Sequence, residues 1–254
     1  MSDLKDLAAI LDDAAMSAQA TPQLAGEHGF DLDEGYEIQR RSIQRRLNRD
    51  EELIGLKMGF TSVAKMEQMG VHDLIWGRLT NTMHIPDGGS IEMGRFIHPR
   101  AEPEIAFRIS TDIDREVPYE EIHTICDGVC AAIEVIDSRF KNFKFSLEDV
   151  VADNCSSAGF VLGEWLDPGL DLADIPMSLL INNEPVHQGS SKAILGDPWK
   201  SLQAATRLAE KYNEPIKKGF VILAGAATAA EFLKVGDSVT ADVGQLGSVS
   251  FRVQ

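Results

Sequence analysis

The stretch from His98 to Phe107 reads HPRAEPEIAF. Its apolar end and period-two spacing predict a strand over AEPEIAFRI, residues 101–109. Alternate strand residues share a face, so Glu102 and Glu104 point the same way around Pro103, just ahead of Ile105, Ala106 and Phe107. Like charges so placed repel, and burial raises the cost. That face therefore calls for a compensating positive charge.

A third acid sits in CAAIEVID, residues 130–137, also a predicted strand. Glu134 interrupts an apolar run there, and a lone buried carboxylate is costly unless it is paired or binds a metal. Three carboxylates from two segments could close around one divalent cation, and an all-oxygen ligand set suits Mg²⁺ or Mn²⁺ better than zinc. Separate salt bridges to Arg100, Arg139 or lysines are the alternative, because nothing in the spacing brings Glu134 to the ExE strand. Lys57, in the predicted strand LIGLKMGF, is the second conspicuous charge. Desolvation there would lower its pKa and make proton transfer feasible near neutrality. The alternative is a lysine whose stem packs while its ammonium reaches water.

The rest of the chain sets the frame. It has 254 residues, 44% hydrophobic and 25% charged, enough for one large domain or two small ones with a core that needs no disulfides. A net charge of −16 disfavours nucleic acid and anionic lipid as partners. Three cysteines, Cys126, Cys130 and Cys155, form no paired framework and read as buried free thiols of a reducing compartment. MSDLKDLAAILDDAAMSAQ lacks the basic start and apolar core of a signal peptide, and no run approaches a membrane span, so a cytoplasmic location is expected.

Leu4, Leu7, Ala8, Ile10, Leu11 and Ala14 follow helical spacing, and Asp31 or Asp33 is placed to cap a second helix carrying Tyr36, Ile38, Ile43 and Leu47. Its RRSIQRR run reads as a solvated face. Beyond residue 50, SVAKMEQMGV, YEEIHTICDGV and WKSLQAATRLAEKYN read as helices. AGFVLGEW, MSLLINN, EPVHQG, GFVILAG, DSVTADV and SVSFRV read as strands, with hairpin turns at Asn182-Asn183 and at Gly244 to Gly247. The expected fold is α+β: a helical N-terminal part, 1–50, and a strand-rich catalytic domain, 51–254. No GxGxxG opens a helix after a strand, and neither a P-loop nor a GxSxG elbow is present.

Taken together, GLKMGFTSVAKMEQMGV, HPRAEPEIAF, EVIDSRFKNFKFSLEDVVADNCSS and GQLGSVSFRV resemble the hydratase/decarboxylase family of meta-cleavage pathways, related to the fumarylacetoacetate hydrolases. The resemblance runs from about residue 30 to the end of the chain. It implies a mixed-sheet, barrel-like domain and a Mg²⁺ or Mn²⁺ site at Glu102, Glu104 and Glu134. It also implies a catalytic lysine at Lys57 and no organic cofactor. The run KMGFTSVAKMEQMGV and the run DSRFKNFKF, Asp137 to Phe145, resemble the decarboxylating branch. That branch releases CO₂ from 2-oxohex-3-enedioate in aromatic-hydrocarbon catabolism. Hydratases of the family carry an acidic residue where this chain has Ile75, before Trp76-Gly77. An isoleucine there fits exclusion of water. Arg139, Lys141 and Lys144 are candidates for the distal carboxylate by proximity to the motif, and Ser156 and Ser157 for the pocket wall. GSSKAILGDP resembles a family segment near the pocket, with Asp197 where relatives often have histidine, so no role passes to it. A homo-oligomer is expected, with a partner hydratase of the same pathway as a further partner. The hydratase activity itself and a non-catalytic partner role are the competing readings.

Overall fold

A computed structural model of the chain describes residues 3–61 and 73–254. The helix expected from SVAKMEQMGV, 62–71, lies outside the described residues. Three helices come first: α1 (Leu4–Ser17), α2 (Ala25–His28) and α3 (Leu32–Leu47). Asp31 is the residue that caps α3, in a reciprocal box with Glu34. The arginine run is less free than a solvated face. Arg45 and Arg49 both hold the buried Asp12 of α1, at 2.6 and 2.7 Å, and Arg46 holds Glu51 at 2.9 Å.

The strands that follow are β1 (Leu53–Gly59), β2 (Ile75–Thr80), β3 (His84–Ile85), β4 (Gly89–Ile91), β5 (Arg100–Ile109) and β6 (Cys126–Ile136). After helix α4 (Leu147–Ala152) come β7 (Ser157–Leu162), β8 (Pro176–Ile181) and β9 (Glu184–Ser190). Helix α5 (Pro198–Lys211) precedes β10 (Val221–Leu223), β11 (Glu231–Phe232), β12 (Ser238–Asp242) and β13 (Ser248–Val253). They form two mixed sheets. The larger runs β2-β1-β10-β5-β6-β7-β3, with β11 also on β5, and the smaller runs β4-β13-β12-β8-β9. Ile105, Phe107, Ala131 and Ile133 of β5 and β6 meet Leu179, Val239 and Phe251 of the smaller sheet in the main core. Ala106, Cys130 and Ala132, on the opposite face, pack with Leu79, Phe160 and Leu223. β5 thus buries both faces, and its even-numbered side carries the acids.

Pro103 sits in this central strand, where a missing N–H normally excludes proline. Its carbonyl accepts from Ala227 N–H at 3.2 Å, on the side where β10 and β11 leave a gap. A strand residue directs its N–H and C=O to the same edge. The missing donor therefore falls in the gap, not in the ladder.

YEEIHTICDGV is helical only in its first part: a 3₁₀ helix covers Tyr119–Ile125 and Cys126 already opens β6. Pairing with β5 as far as Ile109↔Cys126 outweighs the local helical pattern. The hairpin turns stand where expected: Asn182 and Asn183 both have positive φ between β8 and β9, and residues 244–247 join β12 to β13. β2 had no counterpart among the expected strands, although its IWGRLT is rich in aromatic and β-branched residues. No described helix is long and apolar enough to cross a membrane.

Candidate functional site

The β5–β6 register places Glu102 directly opposite Glu134, with Glu104 two residues along on the same face. Three carboxylate oxygens, one from each residue, lie within 4.8 Å of one another, and all three residues are buried. Directly opposed like charges destabilise a sheet. Burial pushes the Glu104 carboxyl well above its ordinary range, and the Glu134 charge adds to the shift. Burial raises Glu134 as well, against the pull of Lys57. Oε1 of Glu104 and Oε1 of Glu134 are buried without a hydrogen-bond partner, while Oε2 of Glu104 accepts the Gly225 N–H at 2.8 Å. Convergent, under-satisfied hard oxygen donors of this kind fit a Mg²⁺- or Mn²⁺-type cation.

Lys57 reaches the cluster from β1. Its Nζ lies 2.9 Å from Glu134 Oε2 and donates to the Cys155 carbonyl at 3.1 Å. The expected fall in its pKa does not occur. Burial lowers it, but the attraction of Glu134, with Cys155, Glu104 and Glu102, raises it further, and the net shift is upward. Lys57 is therefore an ammonium that partly offsets the acids.

The cleft beside the cluster holds about 120 Å³. Lys57, Glu102, Ile75 and Ser156 line it together with Phe60 and Phe143. The Ser156 hydroxyl is buried with no hydrogen-bond partner. Phe60, Phe143, Cys155 and Ser156 all hold positive φ, at 56°, 57°, 51° and 60°. Such backbone costs about 1–3 kcal/mol per residue and persists where surrounding packing enforces it. At Cys155 the strained turn aims the carbonyl at Lys57. Its neighbour Asn154 continues the edge of β2, accepting from Arg78 N–H at 2.7 Å and donating to the Arg78 carbonyl at 2.9 Å. Gly77 is needed at that contact, since a Cβ would meet the Asn154 carbonyl oxygen at 2.6 Å.

The other candidates lie elsewhere. Arg139 is buried away from the cleft, where its guanidinium holds Asp153 and the carbonyls of Asp137 and Ser157. Burial pushes the Asp153 carboxyl up to about 6 despite that partner. Lys141 and Lys144 are exposed and do not line the cleft. Ser157 does not line the cleft, and its hydroxyl lowers the Glu134 pKa. Asp197 caps α5 and accepts from the Tyr119 hydroxyl. All three thiols are free, buried and pushed up by burial, to about 11 for Cys126 and about 12 for Cys130 and Cys155, as inert core thiols should be. A His–Glu pair absent from the sequence reading does form, His187 with Glu231 at 2.9 Å, outside the residues lining the cleft. Arg100 was considered only as a salt-bridge partner. It lies on the acidic face of β5, opposite Ile136, which lines the cleft.

Residues 57–254 match the family described as Fumarylacetoacetate (FAA) hydrolase C-terminal. The chain is 48% identical over 241 residues to a 4-oxalocrotonate decarboxylase of Pseudomonas sp., covering 95% of this chain and 94% of that one. It is 34% identical to a 2-keto-4-pentenoate hydratase of Paraburkholderia xenovorans (strain LB400), over 87% of this chain and 83% of the other. Among solved structures, 4-oxalocrotonate decarboxylase from Pseudomonas putida G7, complexed with magnesium and adipate, superposes with a TM-score of 0.94 at 33% identity, covering 99% and 97% of the two chains.

Proposed function

Given that this chain belongs to the fumarylacetoacetate hydrolase family, we propose that it is a divalent-metal-dependent carboxy-lyase. In this reading it converts 2-oxohex-3-enedioate to 2-hydroxypenta-2,4-dienoate and CO₂. The observation that carries the reading is the buried Glu102–Glu104–Glu134 cluster beside Lys57, in a cleft where Ile75 stands in place of a water-activating acid. The relatives named above, including one that binds the dicarboxylate adipate with magnesium, support it.

Glu102, Glu104 and Glu134 would hold the cation, with Mg²⁺ as the resident metal. When bound, it supplies Lewis-acid polarisation of a 2-oxo acid. Lys57 keeps Glu134 oriented through their 2.9 Å contact. Its ammonium is placed to pass a proton to the product. The Ser156 hydroxyl is free to donate to a substrate oxygen. Ile75, Phe60, Phe145 and Val150 make the cleft wall apolar, so a reactive dienolate formed as CO₂ leaves is shielded from water. Residues 1–50 are read as a helical unit supporting the site. Gln39 of α3 donates to the carbonyls of Trp76 and Val151 at 3.1 and 2.8 Å.

The test offers 2-oxohex-3-enedioate and 2-hydroxypenta-2,4-dienoate side by side to the magnesium-loaded protein. CO₂ from the first without hydration of the second supports the lyase. Hydration of the second without CO₂ moves the chain to the hydratase branch and removes the argument from Ile75.

A further inference from the structure

We propose that Arg100 recognises the distal carboxylate of the substrate and makes the cleft selective for dicarboxylates, a role that rests on the carboxy-lyase reading. Arg100 opens β5 on the face that carries Glu102 and Glu104, and its cross-strand partner Ile136 lines the cleft. Its guanidinium carbon lies 4.1 Å from the centroid of the Phe143 ring and 3.9 Å from that of Phe232. Phe143 is itself a cleft residue, so the stack reaches the cleft wall.

A guanidinium held between two aromatic rings is best satisfied with the rings against its flat faces. Its N–H groups lie in the plane and stay available for in-plane bonds. Nε is buried and has no hydrogen-bond partner among the described residues. A carboxylate approaching in that plane would accept from the two terminal N–H groups as a fork. The stack is held in place by enforced geometry. Asn142 and Phe143 have φ of 61° and 57°, a conformation rare for an aromatic residue, and the Phe143 ring also packs on His98 at 5.1 Å and Phe145 at 5.9 Å.

Distance and elimination agree. Two residues of strand separate Arg100 from Glu102, about 6.6 Å. The terminal carbons of an extended six-carbon chain, joined by five bonds of about 1.5 Å, lie about 6 Å apart. A substrate whose 2-oxo end faces the acid cluster and whose chain follows β5 would direct its far carboxylate towards Arg100. Among the described residues, Arg139 is committed to Asp153, Lys57 to Glu134, and Lys141 and Lys144 are exposed, whereas Arg100 meets the cleft through Phe143 and Ile136.

In the reaction the bond from the distal carboxyl carbon to its neighbour breaks. CO₂ leaves uncharged, and the electron pair stays with the conjugated chain. The partner charge of Arg100 fades as the bond breaks, so its contact is stronger with substrate than with the transition state. Removing it should raise KM and leave kcat unchanged or higher.

The test measures calorimetric binding of 2-oxoadipate and 2-oxohexanoate to the magnesium-loaded wild type, Arg100→Met and Arg100→Lys. Both ligands lack the C3–C4 double bond and stay intact. The wild type should prefer the dicarboxylate by on the order of tenfold or more. Arg100→Met should bring the two affinities within about twofold by weakening only 2-oxoadipate. Arg100→Lys should fall between, since it keeps the charge but not the fork. Equal weakening of both ligands, or an unchanged preference, would overturn the assignment. A wild type that binds neither ligand would instead overturn the carboxy-lyase reading.

Discussion

Removing the cation should make the protein less stable as pH rises, the reverse of ordinary acid denaturation. In the metal-free fold Glu104 has its pKa raised well above 4.5, with burial as the main cause. Glu134 is raised too. Below about pH 4.5 the folded and unfolded chains both hold these protons, and there is no penalty. Above it the unfolded chain releases them while the folded chain keeps them. Stability then falls until the folded pKa is passed. The slope is about 1.4 kcal/mol per pH unit for each carboxylate in that window. Asp153, raised to about 6, adds a slope of the same sign, and the lowered Asp12 adds one of opposite sign. Neither belongs to the acid cluster, so both cancel in a difference. The assay is therefore urea unfolding in EDTA and in saturating magnesium, from pH 5 to 8, read as the gap between the two curves. The gap should widen with pH. In Glu104→Gln, which removes a buried charge, the gap should shrink, and the EDTA form should be more stable than wild type at high pH. Parallel curves in EDTA and magnesium would show that the acid cluster carries no such penalty.

Four further outcomes follow from single contacts. Lys57→Met leaves Glu134 buried without its ion-pair partner and should cost about 3–5 kcal/mol by urea unfolding. Turnover should fall by about 10²–10⁴-fold, because a proton donor is lost. Ile75→Asp introduces an acid into the cleft and should shift the product ratio from CO₂ release towards water addition, as read by product analysis. Gly225→Ala should lower magnesium affinity in a calorimetric titration. Gly225 has φ of +103°, a Cβ there would meet Thr61 Oγ1 at 2.2 Å, and its N–H holds Glu104. Gln39→Leu removes the donors to Trp76 and Val151 and leaves Arg78 without its 2.7 Å acceptor, so it should cost about 1–3 kcal/mol in urea unfolding.

Much of this was legible because β5 alternates so plainly. HPRAEPEIAF announces a strand with acids on one face and Ile105 and Phe107 on the other, and both faces are occupied as the pattern requires. The convergence of Glu134 was not legible, since a cross-strand register is a long-range property that no local spacing carries. The sign of the Lys57 shift was missed for the same reason: desolvation could be inferred from its apolar neighbours, but the opposing carboxylate sits on another strand. Cys126 to Val129 read as helix until pairing with β5 is known. Arg139 was drawn to the pocket by its position in the motif, whereas Asp153, fourteen residues on, folds back to hold it. Arg100 stands two residues before Glu102 on the same face, a placement the alternation of β5 already carries.

The most direct test of the whole account joins the acid cluster to the chemistry in one titration. Protein stripped with EDTA is titrated with magnesium while bound metal and CO₂ release from 2-oxohex-3-enedioate are followed together, in wild type and in Glu104→Gln. The account requires CO₂ release to be absent without the cation, to rise in step with occupancy of a single site, and to be lost with that site in the variant. CO₂ release that persists in EDTA, or a cation that binds as tightly to Glu104→Gln as to wild type, would contradict it.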